Sequence, residues 1–241
     1  MRRAGVVAIC IFIVAISSGA LFISVRSPAG TLLWKLCWVM LCFIGLYVAH
    51  RMRFHAAVRE LGLRAPLGRA GMAAFVASVP MLVMFALTSR PSSTLAAGPL
   101  LMTSVVSPLS EELLFRGYLF LQLYRRAGWS FVAAVLTTAG AFGLAHVGAL
   151  WGRGSLGQLG GEMGMIAAGG AFYSWLLVSW RDNLWVPIAL HGLMNLWCGL
   201  FGCDEQVASL VTNIARILCV GLALVLTFFV RRWEASAARA A

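Results

Sequence analysis

Apolar runs long enough to cross a bilayer recur along almost the whole chain, and no soluble fold could bury so many of them. A helix needs about 20 apolar residues to traverse roughly 30 Å of hydrocarbon. Roughly eight stretches approach that length: 6–25, 31–48, 71–88, a composite 95–124, 131–147, 161–178, 184–200 and 209–230. The composition agrees, with 61% hydrophobic residues, 11% charged residues and a mean hydropathy of +0.89. A soluble domain runs nearer 45–50% apolar and about 25% charged. Disorder, collagen, a disulfide scaffold and an ordinary soluble domain are excluded. The expected fold is an all-α polytopic membrane bundle of about eight transmembrane helices, with 1–241 forming a single integral-membrane domain.

The formal charge of +11 raises nucleic acid as a partner, and its distribution argues against it. With the N-terminus in the cytoplasm, alternation of the spans places Arg2, Arg3, Arg51, Arg53, Arg59, Arg64, Arg69, Arg125, Arg126, Arg181, Arg231, Arg232 and Arg239 inside. Arg26, Lys35, Arg90 and Arg153 fall outside, and Arg116 and Arg216 lie within spans. That asymmetry is the positive-inside pattern. The charge therefore reads as a topology signal for a multi-pass protein of the cell membrane with both termini cytoplasmic. The partner it implies is the lipid bilayer, with no nucleic acid.

The first span has a basic start and a Ser18-Gly19-Ala20 triplet resembling a signal-peptide cleavage site. Its apolar run continues for about 20 residues, so a retained anchor helix is the favoured reading. The six cysteines, Cys10, Cys37, Cys42, Cys198, Cys203 and Cys219, lie mostly inside spans without metal spacing. They read as small apolar packing residues. Residues 50–69 form a basic cytoplasmic loop, and 91–94 and 152–155 are turn-rich connectors. No internal repeat of the kind common in transporters is evident.

Residues 95–124 are too long for one simple span, and Pro99 and Pro108 interrupt them. Ser107-Pro108 reads as an N-cap followed by proline at the first helical position, so a helix is expected from Pro108 to Tyr124. The preceding part would be a short re-entrant or surface segment. Irregular backbone at membrane depth needs protein or a water-filled cavity beside it, so a cavity is expected at this helix start.

The ionisable groups within the spans cluster. Glu111, Glu112 and Arg116 share one helix. At roughly 2.5–3.5 kcal/mol per central charge, three unpaired charges would cost on the order of 9 kcal/mol, comparable to the whole stability of a domain. Glu112 and Arg116, four apart, can pair on one face. Glu111 points elsewhere and is expected to stay free for another task. Phe142 and His146 share a face near the end of the fifth span, and His191 and Asn195 share one in the seventh. Any one of these could be an interhelical hydrogen bonder, but the set on three spans points to a site.

A carboxylate kept from bulk water beside a like charge suits general-base work near neutral pH. Glu111 and His146 could hold and deprotonate a water. His191 and Asn195 could donate to the oxyanion formed when that water attacks an amide carbonyl. Alternatively, Glu111, His146 and His191 could ligate a divalent metal such as zinc, since two histidines and a glutamate plus water are a common catalytic zinc set. The His-Glu-x-x-His signature is absent, and the residues leave both readings open.

Glu111-Glu112-x-x-x-Arg116, Phe142-x-x-x-His146 and His191-x-x-x-Asn195, in this order on apolar helices, resemble the three signature motifs of the CPBP family. This is the CAAX-protease and bacteriocin-processing family, also called Abi, to which the type II CAAX prenyl endopeptidase belongs. Phe115-Arg116-Gly117, Leu184-Trp185-Val186-Pro187 and Leu61-Gly62-Leu63 agree with the resemblance. It covers roughly 95–200, the part expected to carry the catalytic core, and leaves the first three spans unspecific. It implies an intramembrane endopeptidase, glutamate-dependent or metallo-, acting on a membrane-embedded or lipid-anchored peptide or protein. By motif position Glu111 and His146 would activate water, and His191 and Asn195 would form the oxyanion pair. Glu112, Arg116 and Phe142 would support them. The alternatives are a non-catalytic membrane binding or bacteriocin-immunity protein of the same fold, and a proton-coupled transporter. Glu162, at the start of the sixth span, is expected at the surface.

Overall fold

The computed structural model describes residues 3–19, 27–93, 96–151, 154–201 and 210–240. Arg2, Arg26 and Arg153 of the charge distribution, Ala20 of the cleavage-like triplet, Cys203 and the Leu95 and Ser209 span starts lie outside them. All regular structure among the described residues is helical. In chain order the α-helices are α1 (Arg3–Gly19), α2 (Pro28–His50), α3 (Phe54–Glu60), α4 (Leu67–Thr88), α5 (Ala97–Leu101) and α6 (Ser107–Glu112). They continue with α7 (Phe131–Leu144), α8 (Val147–Leu150), α9 (Leu156–Ser179), α10 (Trp185–Leu200) and α11 (Leu210–Ala240). Three π-helical segments, Met102–Val106, Leu113–Phe120 and Gln122–Arg126, flank α6.

About eight spans are expected; among the described residues three helices are long and apolar enough to cross a membrane: Pro28–His50, Leu67–Thr88 and Leu210–Arg239. Arg3–Ile13, Phe131–Leu144 and Trp185–Leu200 are shorter apolar helices. The 24-residue α9 has the length, but glycines, Gln158 and a partly exposed Glu162 dilute its first half.

Residues 95–124 differ from the expectation. The chain is helical from Ala97 onward instead of starting a helix at Pro108. Proline has no N–H and crowds the preceding turn. The π-helical turn Met102–Val106 just before it, where Ser107 N–H reaches back to Met102 O, absorbs that defect within a continuous helix.

The chain divides into two compact units. The first contains residues 1–64 and 110–175. Its centre is the π-helical Leu113–Phe120, in which all eight residues are buried. A helix buried on every face needs neighbours all round, and α1, α2 and α7 pack around this segment and the Gln122–Arg126 segment that follows it. Ser27 caps α2 by accepting from Gly30 N at 3.1 Å, with Pro28 at the first position. Gly45 lets α2 approach closely, since a Cβ there would collide with Ile13 and the Tyr118 hydroxyl.

The second unit contains residues 65–109 and 176–241. Here α4 packs against α10 and α11, and α10 packs against Met102–Val106. Met81, Phe85, Cys198, Ala215 and Cys219 form its core. Trp197 Nε1 donates to Ser78 Oγ at 3.0 Å, and Trp180 Nε1 to Thr227 Oγ1 at 3.0 Å. Along the first half of α4 the buried positions are small (Ala70, Ala74, Ala77, Ser78), Met81 and Phe85 are buried further on, and Met72, Phe75, Val83 and Leu87 face outward. Small residues inside and large apolar ones outside is the arrangement of helices packed in lipid. Cys10, Cys42 and Cys219 are free and buried, as expected of packing residues, whereas Cys37 is free and exposed and Cys198 is disulfide-bonded.

Candidate active site

In the first unit the two glutamates diverge. Glu112 and Arg116 are fully buried and pair at 3.1 Å, Arg116 Nη1 donating to Glu112 Oε1. The four-residue spacing legible in the sequence places them together. The guanidinium also lies 4.1 Å from the Phe142 ring and 5.5 Å from that of Tyr173. Aromatic faces attract a desolvated cation, which matters because Arg116 Nε and Nη2 have no hydrogen-bond partner among the described residues. Gly170 makes room: a Cβ there would sit 3.0 Å from Arg116 Nη2 and 3.2 Å from Phe142.

Glu111 does point away from this pair, but it is not free. Lys35 Nζ lies 2.6 Å from Glu111 Oε1. Lys35 lies inside α2, within the span expected over 31–48. The signal that could have found it is a lone lysine inside an apolar helix, where an unpaired charge is costly.

Phe142 and His146 share a face as expected, their ring centroids 4.7 Å apart. The α7 helix ends at Leu144, and His146 caps the short α8. Its Nδ1 lies 2.8 Å from Phe142 O. A carbonyl can only accept, so Nδ1 carries the proton and the neutral ring presents Nε2 as the acceptor. Aromatic contacts then run from Phe142 to Phe115 (5.1 Å) and from Phe115 to Trp38 of α2 (6.1 Å).

In the second unit His191 and Asn195 lie one turn apart on α10, both partly exposed. Asn195 Nδ2 donates to Thr103 O at 3.0 Å, which engages one of the two N–H donors of the amide. Between them, Gly192 allows the Ser104 carbonyl so close that a Cβ would lie 2.5 Å from it. At this level α10 backbone packs directly against the Met102–Val106 turn. The unit thus joins His191 and Asn195 to the helix leading into α6.

A zinc ion would draw on Glu111, His146 and His191. Glu111 Oε1 is already engaged by an ammonium, and among the described residues no three His, Cys, Asp or Glu side chains are grouped to hold a metal ion.

No curated protein and no solved structure matches the chain. Residues 93–197 match the family described as type II CAAX prenyl endopeptidase Rce1-like, a family of proteases, so the stretch that carries Glu111, Glu112, Arg116, Phe142, His146, His191 and Asn195 is an Rce1-like domain.

Proposed function

We propose that the chain is an intramembrane endopeptidase that hydrolyses a peptide bond in a membrane-embedded or lipid-anchored substrate. The observation that carries this reading is the Rce1-like match over the segment holding all three motifs. The buried Glu111 and the tautomer of His146 support it.

In this reading a water lies between the Glu111 carboxylate and His146 Nε2. Glu111 accepts its proton as the oxygen attacks the scissile carbonyl carbon. His191 and the remaining N–H of Asn195 donate to the developing oxyanion. The proton taken up by Glu111 then passes by way of His146 Nε2 to the departing amine as the C–N bond breaks. Glu112, Arg116 and Phe142 hold the helices that carry the reacting groups. No step is routed through a metal.

The chain as a whole is read as a multi-pass protein of about eight spans with both termini cytoplasmic. The arginine distribution supports that orientation. So does Cys198, whose disulfide suits an oxidising compartment and which this topology puts at the outer end of the seventh span.

The test compares membrane proteomes of cells carrying the native protein and Glu111→Gln. A precursor is expected to accumulate in the variant. If neither Glu111→Gln nor His191→Ala alters any processing event while both fold, the chain is a binding or immunity protein instead.

A further inference from the structure

The chain has eighteen arginines and one lysine, Lys35. It lies about two turns into α2, outside residues 93–197 that match the family. Its Nζ is 2.6 Å from Glu111 Oε1, with side-chain exposures of 12% and 11%. The ammonium also sits 4.3 Å from the Trp38 ring. Trp38 in turn meets Phe115, three residues beyond Glu112, and Phe115 meets Phe142 of the next motif. Lys35 is therefore held on two sides, by the acid and by an aromatic face continuous with the motif helices.

A buried ion pair gives little stability beyond what a packed apolar pair would give, so stability alone is a weak reason for this one. Its chemistry suits orientation. A guanidinium engages both oxygens of a carboxylate side by side, whereas an ammonium is a compact point charge on a flexible stem that can hold one oxygen. Here it holds Oε1 from a different helix, which restricts rotation of the carboxylate about its own side chain.

We infer that Lys35 is a positioning residue of the active site, reaching from α2 to fix the Glu111 carboxylate in the orientation from which it meets the water. This rests on the endopeptidase reading above. It also makes α2 part of the working enzyme, although the family match begins 58 residues after Lys35 (93 − 35).

Two measurements on the full-length protein test it. The first uses the precursor that accumulates with Glu111→Gln as substrate for purified protein in lipid. Lys35→Met is expected to lower kcat about 100-fold, the scale of a misplaced catalytic group, with KM within about threefold. Lys35→Arg, which keeps the charge, should restore kcat to within about tenfold of native. Native kcat in Lys35→Met, or a loss confined to KM, overturns the inference. The second is a thermal-unfolding cycle that needs no substrate. Lys35→Met should lower Tm by roughly 5 °C in the native background, where it takes the ammonium away from a buried carboxylate, and hardly at all beside Glu111→Gln. Equal losses in both backgrounds mean that Lys35 does not act on Glu111. A coupled Tm without any precursor removes the protease reading while leaving the Lys35–Glu111 relationship intact.

Discussion

His146 donates its Nδ1–H to the carbonyl oxygen of Phe142, 2.8 Å away, one helical turn back along its own chain. That single bond fixes which ring nitrogen is basic, and the Phe142 ring 4.7 Å away fixes the plane. Substituting His146 by Gln should abolish precursor processing, a loss of at least about 100-fold for a general acid–base group, while Tm changes little. Processing by His146→Gln at the native rate would remove His146 from the reaction.

The Glu112–Arg116 pair is completely buried. Removing one partner of such a pair costs about 3–5 kcal/mol, because the other charge is left without compensation. Glu112→Gln and Arg116→Met should each lower Tm strongly, and the double variant should recover much of the loss. Thermal melts of the three variants in detergent decide this, and additive losses would argue against coupling.

Gly169 and Gly170 are neighbours in α9 with opposite surroundings. A Cβ on Gly169 meets nothing within 4 Å, whereas one on Gly170 meets Arg116 Nη2 at 3.0 Å and Ala139 Cα at 3.4 Å. Gly169→Ala should be neutral or stabilise by up to about 1 kcal/mol through helix propensity. Gly170→Ala should destabilise by about 1–3 kcal/mol through overpacking. Denaturant midpoints that rank the two the other way round would contradict the packing described.

Outside the spans, Glu60 receives Arg126 Nε and Nη2 on its two oxygens, each at 2.7 Å. Hydrogen bonding from Arg126 holds the Glu60 carboxyl below its ordinary range, and burial opposes this in part. A depressed carboxyl contributes stability above its unfolded value of about 4.3 and loses it as pH falls through the folded value. Arg126 is substantially exposed, so solvent screening limits the effect to about 1 kcal/mol or less. The Tm difference between native protein and Arg126→Ala should be constant from neutral pH down to about 5 and shrink at lower pH. A difference that grows on acidification would mean that the pair is not the cause.

The sequence alone determined the helical class, the lipid-facing character of the helices and the three motifs. Each rests on a local regularity: apolar run length, the four-residue spacing that makes Glu112 meet Arg116 and Phe142 meet His146, and their order along the chain. Tertiary structure decided what lies far apart in sequence. Lys35 and Glu111 are 76 residues apart, and no periodicity announces that α2 brings an ammonium to that carboxylate. The same holds for Gly170 beneath Arg116 and for Gly192 against Ser104, where a missing side chain has meaning only once the facing helix is known. Local spacing fixes which side chains share a helix face. Only packing fixes what that face meets, because the neighbour is chosen by fit and by the cost of leaving a buried charge alone.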